Sequence, residues 1–356
     1  AAGVGRIFGK RGVFYEITGP QVAGLDGFYS TYFEDYKNFG ILSPKEPDKA
    51  AAKVEEETGI HVNYMRFTTN EDMMVSVRAN PGAYDVIFPS EYCVERLIAE
   101  DLLAEINYDN VPNMSYTLES LLNPDYDPNN AHSVPYMWGL LGVIYNKTMV
   151  DETDLGSWDL MWNEKYADDI LMFDNSRDAI GIGLKMLGYS YNTTDEAQIK
   201  EAVDLLVEQK PLVQAYVMDE VFGKMEGGNA AVGTYYYGDY LTMVENNPDL
   251  GFYIPEEGTN TYVDAMCILK GAKNKENAEA FINYMCSTEA GLKNCEEIWY
   301  STPLMSVREE LDPEVANDPY AYPDEEIMDK CESYAGLPQN ILDLYDSEWT
   351  RLKSAT

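Results

Sequence analysis

The 356-residue chain is 45% hydrophobic and 12% aromatic, which is ample for a packed core and long enough for one large or two medium domains. A formal net charge of −37 excludes nucleic acid, whose phosphates need Lys and Arg, and admits a cationic ligand, although solubility alone accounts for most of the charge. The two histidines, His61 and His132, rule out a multi-His metal site and leave a His-dependent triad little to work with, and no apolar run approaches the ~18 residues of a membrane span.

The chain opens Ala1-Ala2-Gly3, without a charged stretch followed by an apolar one. No signal peptide is read there; one was removed or lies upstream. Gly3 to Arg11 superficially resembles a phosphate loop, but its glycines fit neither GxxxxGK[ST] nor GxGxxG. Residues 1–37 carry Gly5, Gly9, Gly12, Gly19, Gly24 and Gly27 without clear periodicity, and are read as an N-terminal extension or irregular arm. Pro47 to Thr58 predicts a helix, with proline in its first turn, an alanine-rich body and Gly59 as C-cap. Ile60 to Tyr64 follows as a strand and Asn70 to Ala79 as a helix. Asp85 to Phe88 is a short apolar strand that ends in a Pro-Ser turn. This alternation predicts a largely parallel, doubly wound α/β sheet. Ligands of such sheets gather at the carboxyl ends of strands, where Ser90 and Tyr92 stand. The bland reading is one more buried strand and its loop.

Leu140 to Tyr145 predicts another apolar strand, after Pro135 to Gly139. Thr193-Thr194-Asp195-Glu196 fits a capping box opening a helix with Ile199, Val203 and Leu206 on one face. Ala230 to Tyr235 reads as a strand and Lys275 to Ser287 as a helix with Ala278, Phe281, Ile282 and Met285 inward. Ile341 to Lys353 is an acidic amphipathic helix. No internal repeat or linker divides the chain, which fits two lobes made by a chain crossing back and forth. Five cysteines (Cys93, Cys267, Cys286, Cys295, Cys331) form no CxxC, and their odd number prevents complete pairing within the chain. Cys286 and Cys295 could bridge, but buried free thiols are the expectation.

A small organic cation is held by carboxylates, which take up its charge and N–H donors, and by aromatic faces around its methylenes. Three strand ends combine the two: Tyr262-Val263-Asp264, where alternation puts Tyr262 and Asp264 on one side; Tyr235-Tyr236-Tyr237-Gly238-Asp239; and Phe173-Asp174-Asn175-Ser176-Arg177-Asp178. Each has a plainer reading. Arg177 could pair with Asp174 or Asp178, tyrosine runs are often surface or core edges, and Asp178 suits the first turn of a helix.

Beyond these residues, the sequence resembles the spermidine/putrescine-binding components of ATP-binding-cassette importers, over about nine-tenths of its length from Asn38 onward. The resemblance rests on ordered motifs. They are Glu57 to Ile60, Ala83 to Tyr92, Pro124 to Asn130, Val134 to Gly139, Leu187 to Tyr189 with Asn192 to Asp195, Val263-Asp264, Ala272 to Lys275, Pro313 to Asp318 and Tyr322 to Asp324. It implies an α/β, two-lobed periplasmic-binding-protein-like fold that closes on its ligand about hinge crossovers near Trp138, Tyr262 and Val307. Lobe 1 would comprise residues 38–138 and 262–307, and lobe 2 residues 139–261 and 308–356. Carried over residue by residue, Ser90 and Tyr92 match the ligand-contacting loop of the first lobe. Asp178 falls at an amine-binding carboxylate, Tyr236 and Tyr262 at aromatic walls, Asp264 at the carboxylate that pairs with an amine, and Tyr300 at a further aromatic contact. Three departures stand out. Asn38-Phe39-Gly40-Ile41-Leu42 keeps an aromatic, Phe39, where the family has Asn-Trp and a polar loop, and Asn175 replaces an aspartate found in some members. The family's C-terminal glutamine has no clear counterpart around Tyr334 and Ala335. A shorter diamine such as putrescine, or a monocation, is therefore expected.

The resemblance implies an extracytoplasmic protein that captures a polyamine and delivers it to the permease subunits of an ABC importer. It would act as a monomer without catalysis or cofactor, in the periplasm, anchored at the cell surface or fused to the permease. Alternatives are the same fold binding another organic cation, an amino-acid derivative or a sugar, a carboxylate-based hydrolase using Asp178 and Asp264, and a surface interaction module.

Overall fold

The computed structural model describes residues 13–18, 54–56, 58–67 and 70–355. The chain divides into two compact units, residues 1–138 with 263–316 and residues 139–262 with 317–356.

The first unit begins at strand β1 (Val13–Thr18), which pairs antiparallel with β2 (His61–Arg66) along its whole length. This corrects the reading of that stretch as part of an irregular arm. Val13, Phe14, Tyr15 and Ile17 are strand formers, and the glycines on either side obscured them. Asn38 to Leu42 and the start of the helix expected from Pro47 lie outside the described residues. Val54–Glu56 and Thr58 are helical, and Gly59, at φ +70°, closes the helix by donating its N–H to the Glu55 carbonyl (2.7 Å). Helix α1 (Asn70–Ala79) follows as predicted. It buries Met73, Met74 and Val77 against Ile87, Val94 and Leu97, from strand β3 (Val86–Phe88) and helix α2 (Glu91–Ala99).

Strand β4 (Ser133–Asn146) leads into the second unit, whose first residue is Gly139. Strand β5 (Ile170–Phe173) feeds helix α3 (Ser176–Met186), which packs with helix α4 (Glu196–Gln209). The cap of α4 is Asp195, which accepts from the Ala197 N–H (2.8 Å); Thr193, expected as the box residue, instead accepts the Asp195 N–H (3.2 Å). Aspartate stands one residue before the helix proper and wins the cap by position. Then come strand β6 (Val213–Val217), helix α5 (Glu220–Glu226), strand β7 (Val232–Tyr236), helix α6 (Tyr237–Asn246) and strand β8 (Leu250–Tyr253). Here β5 pairs parallel with β6 and β7, while β4 runs antiparallel to β7 and β8.

Strand β9 (Asn260–Ile268) returns the chain to the first unit after Tyr262. Its far half pairs antiparallel with β3, and β3 in turn pairs antiparallel with β1. Among the described residues, the largely parallel sheet expected from the β-α-β alternation therefore holds for β5, β6 and β7 and for the short pairing of residues 332–333 with β9, while the other pairings named above are antiparallel; local periodicity does not report strand direction. Helices α7 (Lys275–Met285) and α8 (Thr288–Ile298) follow in the first unit. The third passage follows Ala316 rather than lying near Val307. In the second unit the two-residue strand β10 (Glu332–Ser333) pairs parallel with Asn260 and Thr261 of β9, and helix α9 (Gln339–Ser354) packs on α3 and α4. Among the described residues the five cysteines form no disulfide, four of them are buried, and burial pushes the Cys286 thiol up to about 12.

Candidate functional site

In the first unit, β3 ends at Phe88, and Pro89 turns the chain so that Ser90 becomes the N-cap residue of α2. The Ser90 hydroxyl does not cap its own helix; it donates to Asp264 Oδ1 (2.7 Å). Asn70, at the start of α1, donates to the Ser90 hydroxyl (3.2 Å) and accepts the Ser90 N–H (3.5 Å). The backbones are tied as well, because the Ala265 N–H donates to the Pro89 carbonyl (2.9 Å). Glu91, in the first turn of α2, accepts the Val263 N–H (3.1 Å). Asp264 is thus buried at the amino end of α2, where the helix dipole favours negative charge. Tyr92 is half-buried on α2 against the core.

The sequence reading missed Tyr126 here. Burial pushes its phenol up, and the nearby carboxylates of Glu91, Asp127 and Asp264 and the thiol of Cys267 add to the shift. It keeps its proton and can donate. The signal was its place inside the Pro124 to Asn130 motif. Tyr300 is buried beside Ser301, which bridges to Trp138, the last residue of the unit's first segment. Phe39 lies outside the described residues.

In the second unit, Asp178 is the third residue of α3 and is 1% exposed. Asn175 caps that helix, accepting from the N–H groups of Arg177 (2.8 Å) and Asp178 (3.4 Å). Both Asp178 oxygens receive a tyrosine hydroxyl: Tyr236 donates to Oδ2 (3.2 Å) and Tyr334 to Oδ1 (2.8 Å). Tyr236 ends β7, and its ring meets Tyr262 edge to face at 5.1 Å between centroids. Tyr262 in turn lies over Gly139, where an added Cβ would come within 2.6 Å of the tyrosine hydroxyl, so only glycine leaves room for the ring. Phe173 at the end of β5 backs Tyr235 and Tyr236.

Arg177 takes neither of the expected carboxylates. Its guanidinium donates to Asn192 (2.9 Å) and to the Ala335 carbonyl (3.2 Å) and lies over the rings of Tyr334 and Tyr345, while Asp174 is paired by Lys353 (2.7 Å). Chemically, the second unit offers a buried carboxylate set among aromatic rings. The first offers a carboxylate held by a serine at a helix start. Both suit an ammonium group.

Comparison with known proteins agrees with this chemistry. The family model for bacterial extracellular solute-binding proteins matches residues 49–323. The chain belongs to that family. Within it, the chain is 33% identical to the spermidine/putrescine-binding periplasmic protein of Salmonella typhimurium over 78% of this chain and 80% of the relative. It is 31% identical to the protein of the same description from Escherichia coli, over 94% and 95%. Among solved structures, a spermidine/putrescine ABC transporter substrate-binding protein from Streptococcus pneumoniae superposes with a TM-score of 0.78 at 36% identity, covering 90% of this chain and 96% of that one. A spermidine/putrescine ABC transporter protein from Listeria monocytogenes gives 0.81 at 34%, over 89% and 97%. The expected α/β, periplasmic-binding-protein-like fold is therefore borne out. Among the described residues no helix is long and apolar enough to cross a membrane.

Proposed function

We propose that this protein captures a polyamine outside the cytoplasm, without catalysis and as a monomer, and delivers it to the membrane permease of an ABC importer. One observation carries the reading: Asp178 is buried among tyrosines that hydrogen-bond both of its oxygens, an environment that rewards a counter-cation. The names of the relatives, spermidine/putrescine-binding proteins, support the same ligand class. Asp178 and Asp264 are assigned as ammonium acceptors, with Ser90 holding the second and Tyr92, on α2, as a ligand contact. Tyr236, Tyr262, Tyr300 and Phe39 are assigned as aromatic contacts to the methylenes. The polar groups missing around Phe39 favour putrescine over spermidine.

The test is a thermal-shift titration with putrescine, cadaverine, spermidine, spermine, thiamine, glycine betaine and neutral sugars. A ligand at 100 times its Kd adds ~2.7 kcal/mol, which is about 3–4 °C for a chain of this length unfolding in one step. A shift with polyamines alone is expected, largest with putrescine. No shift with any polyamine would sink the proposal, and tight spermidine binding with little loss on truncation to the diamine would sink the preference. Tyr262→Ala should weaken putrescine binding by about 1–2 kcal/mol, from lost cation–π and stacking contact. An unchanged calorimetric Kd would remove Tyr262 from the site.

A further inference from the structure

We propose that Tyr334 is a positioning residue for polyamine binding, fixing Asp178 as an ammonium acceptor; this rests on the function proposed above. The Tyr334 phenol is pushed well up by burial, with Asp178 and Tyr191 adding and Arg177 opposing, so its hydroxyl keeps its proton and donates. A carboxylate has about four acceptor positions. Two are taken by Tyr236 and Tyr334, arriving from different elements, and this pins the Asp178 side chain while leaving acceptor capacity for a ligand.

The structure also holds Tyr334 itself in place from both sides. The Asn192 amide donates to the Ser333 carbonyl (2.8 Å), and its oxygen accepts the Ala335 N–H (2.9 Å), so one side chain grips both chain neighbours of Tyr334. The same oxygen accepts from Arg177 (2.9 Å), whose guanidinium lies 4.7 Å from the centre of the Tyr334 ring. Glu332 receives the Lys185 ammonium (2.5 Å) and the Ser190 hydroxyl. The pairing of β10 with Asn260 and Thr261 links this segment to the strand that carries Tyr262. Groups so constrained hold a geometry that a loosely packed tyrosine would not. Without the Tyr334 donor, the buried carboxylate loses its fixed orientation, and having to order it again opposes an incoming ammonium.

The experiment is a double-mutant cycle read by calorimetric titration of putrescine into the wild type, Tyr334→Phe, Asp178→Asn and the double variant. Tyr334→Phe keeps the ring and should weaken binding by about tenfold, the usual worth of a hydrogen bond to a charged group. Asp178→Asn should weaken it further. The double variant should be no weaker than Asp178→Asn alone, because Tyr334 acts through that carboxylate. A merely structural tyrosine would give losses that multiply, which overturns the inference. Unchanged or tighter binding in Tyr334→Phe overturns it too, since Tyr334 would then be idle or compete with the ligand. A wild type that binds no polyamine removes the functional reading and this inference together, whereas multiplying losses in a wild type that binds putrescine remove only the inference. Should Tyr334→Phe not fold, Asn192→Ala loosens the grip while leaving the pair intact. It should cost about threefold, a loss that disappears in the Asp178→Asn background and refutes the inference if it persists there.

Discussion

Asp264→Ala is expected to weaken polyamine binding by at least tenfold. Removing one partner of a buried, hydrogen-bonded charge pair costs about 2–5 kcal/mol, much of it the penalty of leaving the other charge without a counter-ion. Asp264 is buried at the amino end of α2, with Ser90 donating to it at 2.7 Å and Asn70 holding Ser90. Alanine also deprives the Ser90 hydroxyl of its acceptor, which costs the folded state about 1–3 kcal/mol independently of ligand. Asp264→Asn separates the two effects, because its amide oxygen still accepts from Ser90 while the charge is gone. The melting temperature without ligand should fall for alanine and change little for asparagine, and both should lose putrescine affinity. If the asparagine variant binds as the wild type does, Asp264 is a structural cap and not an ammonium acceptor. Equal affinities for Asp264→Ala and Tyr262→Ala would show that neither residue has its assigned role.

Some of this was legible in the sequence, and the reason lies in chain locality. The run Val86 to Phe88 followed by Pro89 is a short apolar strand with a forced turn, so the position of Ser90 follows from local chemistry. Asp178 and Tyr236 stand at strand ends marked by composition. Tyr334 had no such mark. It follows a two-residue strand with no periodicity, and its partner Asp178 is 156 positions away. A hydrogen bond across that separation is invisible to any pattern of neighbours. The plainer reading offered for Arg177 failed for the same reason. Adjacent acids suggested ion pairs, but Asn192, the Ala335 carbonyl and the Tyr334 ring reach it first in space. The direction of β4 and β9 is also a long-range property, set by partners that hydropathy alternation does not name.

Gly258→Ala is expected to cost the second unit about 2–5 kcal/mol of stability, and polyamine affinity should fall with it. Gly258 has φ +88°, and a Cβ there would stand 1.9 Å from the Lys330 carbonyl oxygen, a backbone atom that no side-chain rotation can move aside. The left-handed conformation alone costs an L residue about 1–2 kcal/mol, and the overlap adds about 1–3 kcal/mol. Relief by shifting Gly258 is opposed on its own chain, since its N–H donates to the Pro255 carbonyl (2.9 Å) and its carbonyl accepts from Trp158 Nε1 (3.0 Å). Shifting Lys330 instead pulls on the Glu332 N–H, which donates to the Thr259 carbonyl (3.0 Å), and so on the pairing of β10 with β9. That pairing sets where Tyr334 meets Asp178, so the strain reaches the carboxylate. For a unit of this size each kcal/mol lowers Tm by about 2–4 °C, giving a drop of about 4–20 °C if the second unit unfolds by itself. Gly188→Ala is the matched control: φ is +75° there and nothing lies within 4 Å of an added Cβ, so only the conformational cost applies. Equal losses in the two variants would mean that the approach of Lys330 relaxes freely, and that β10 is not held in place by Gly258.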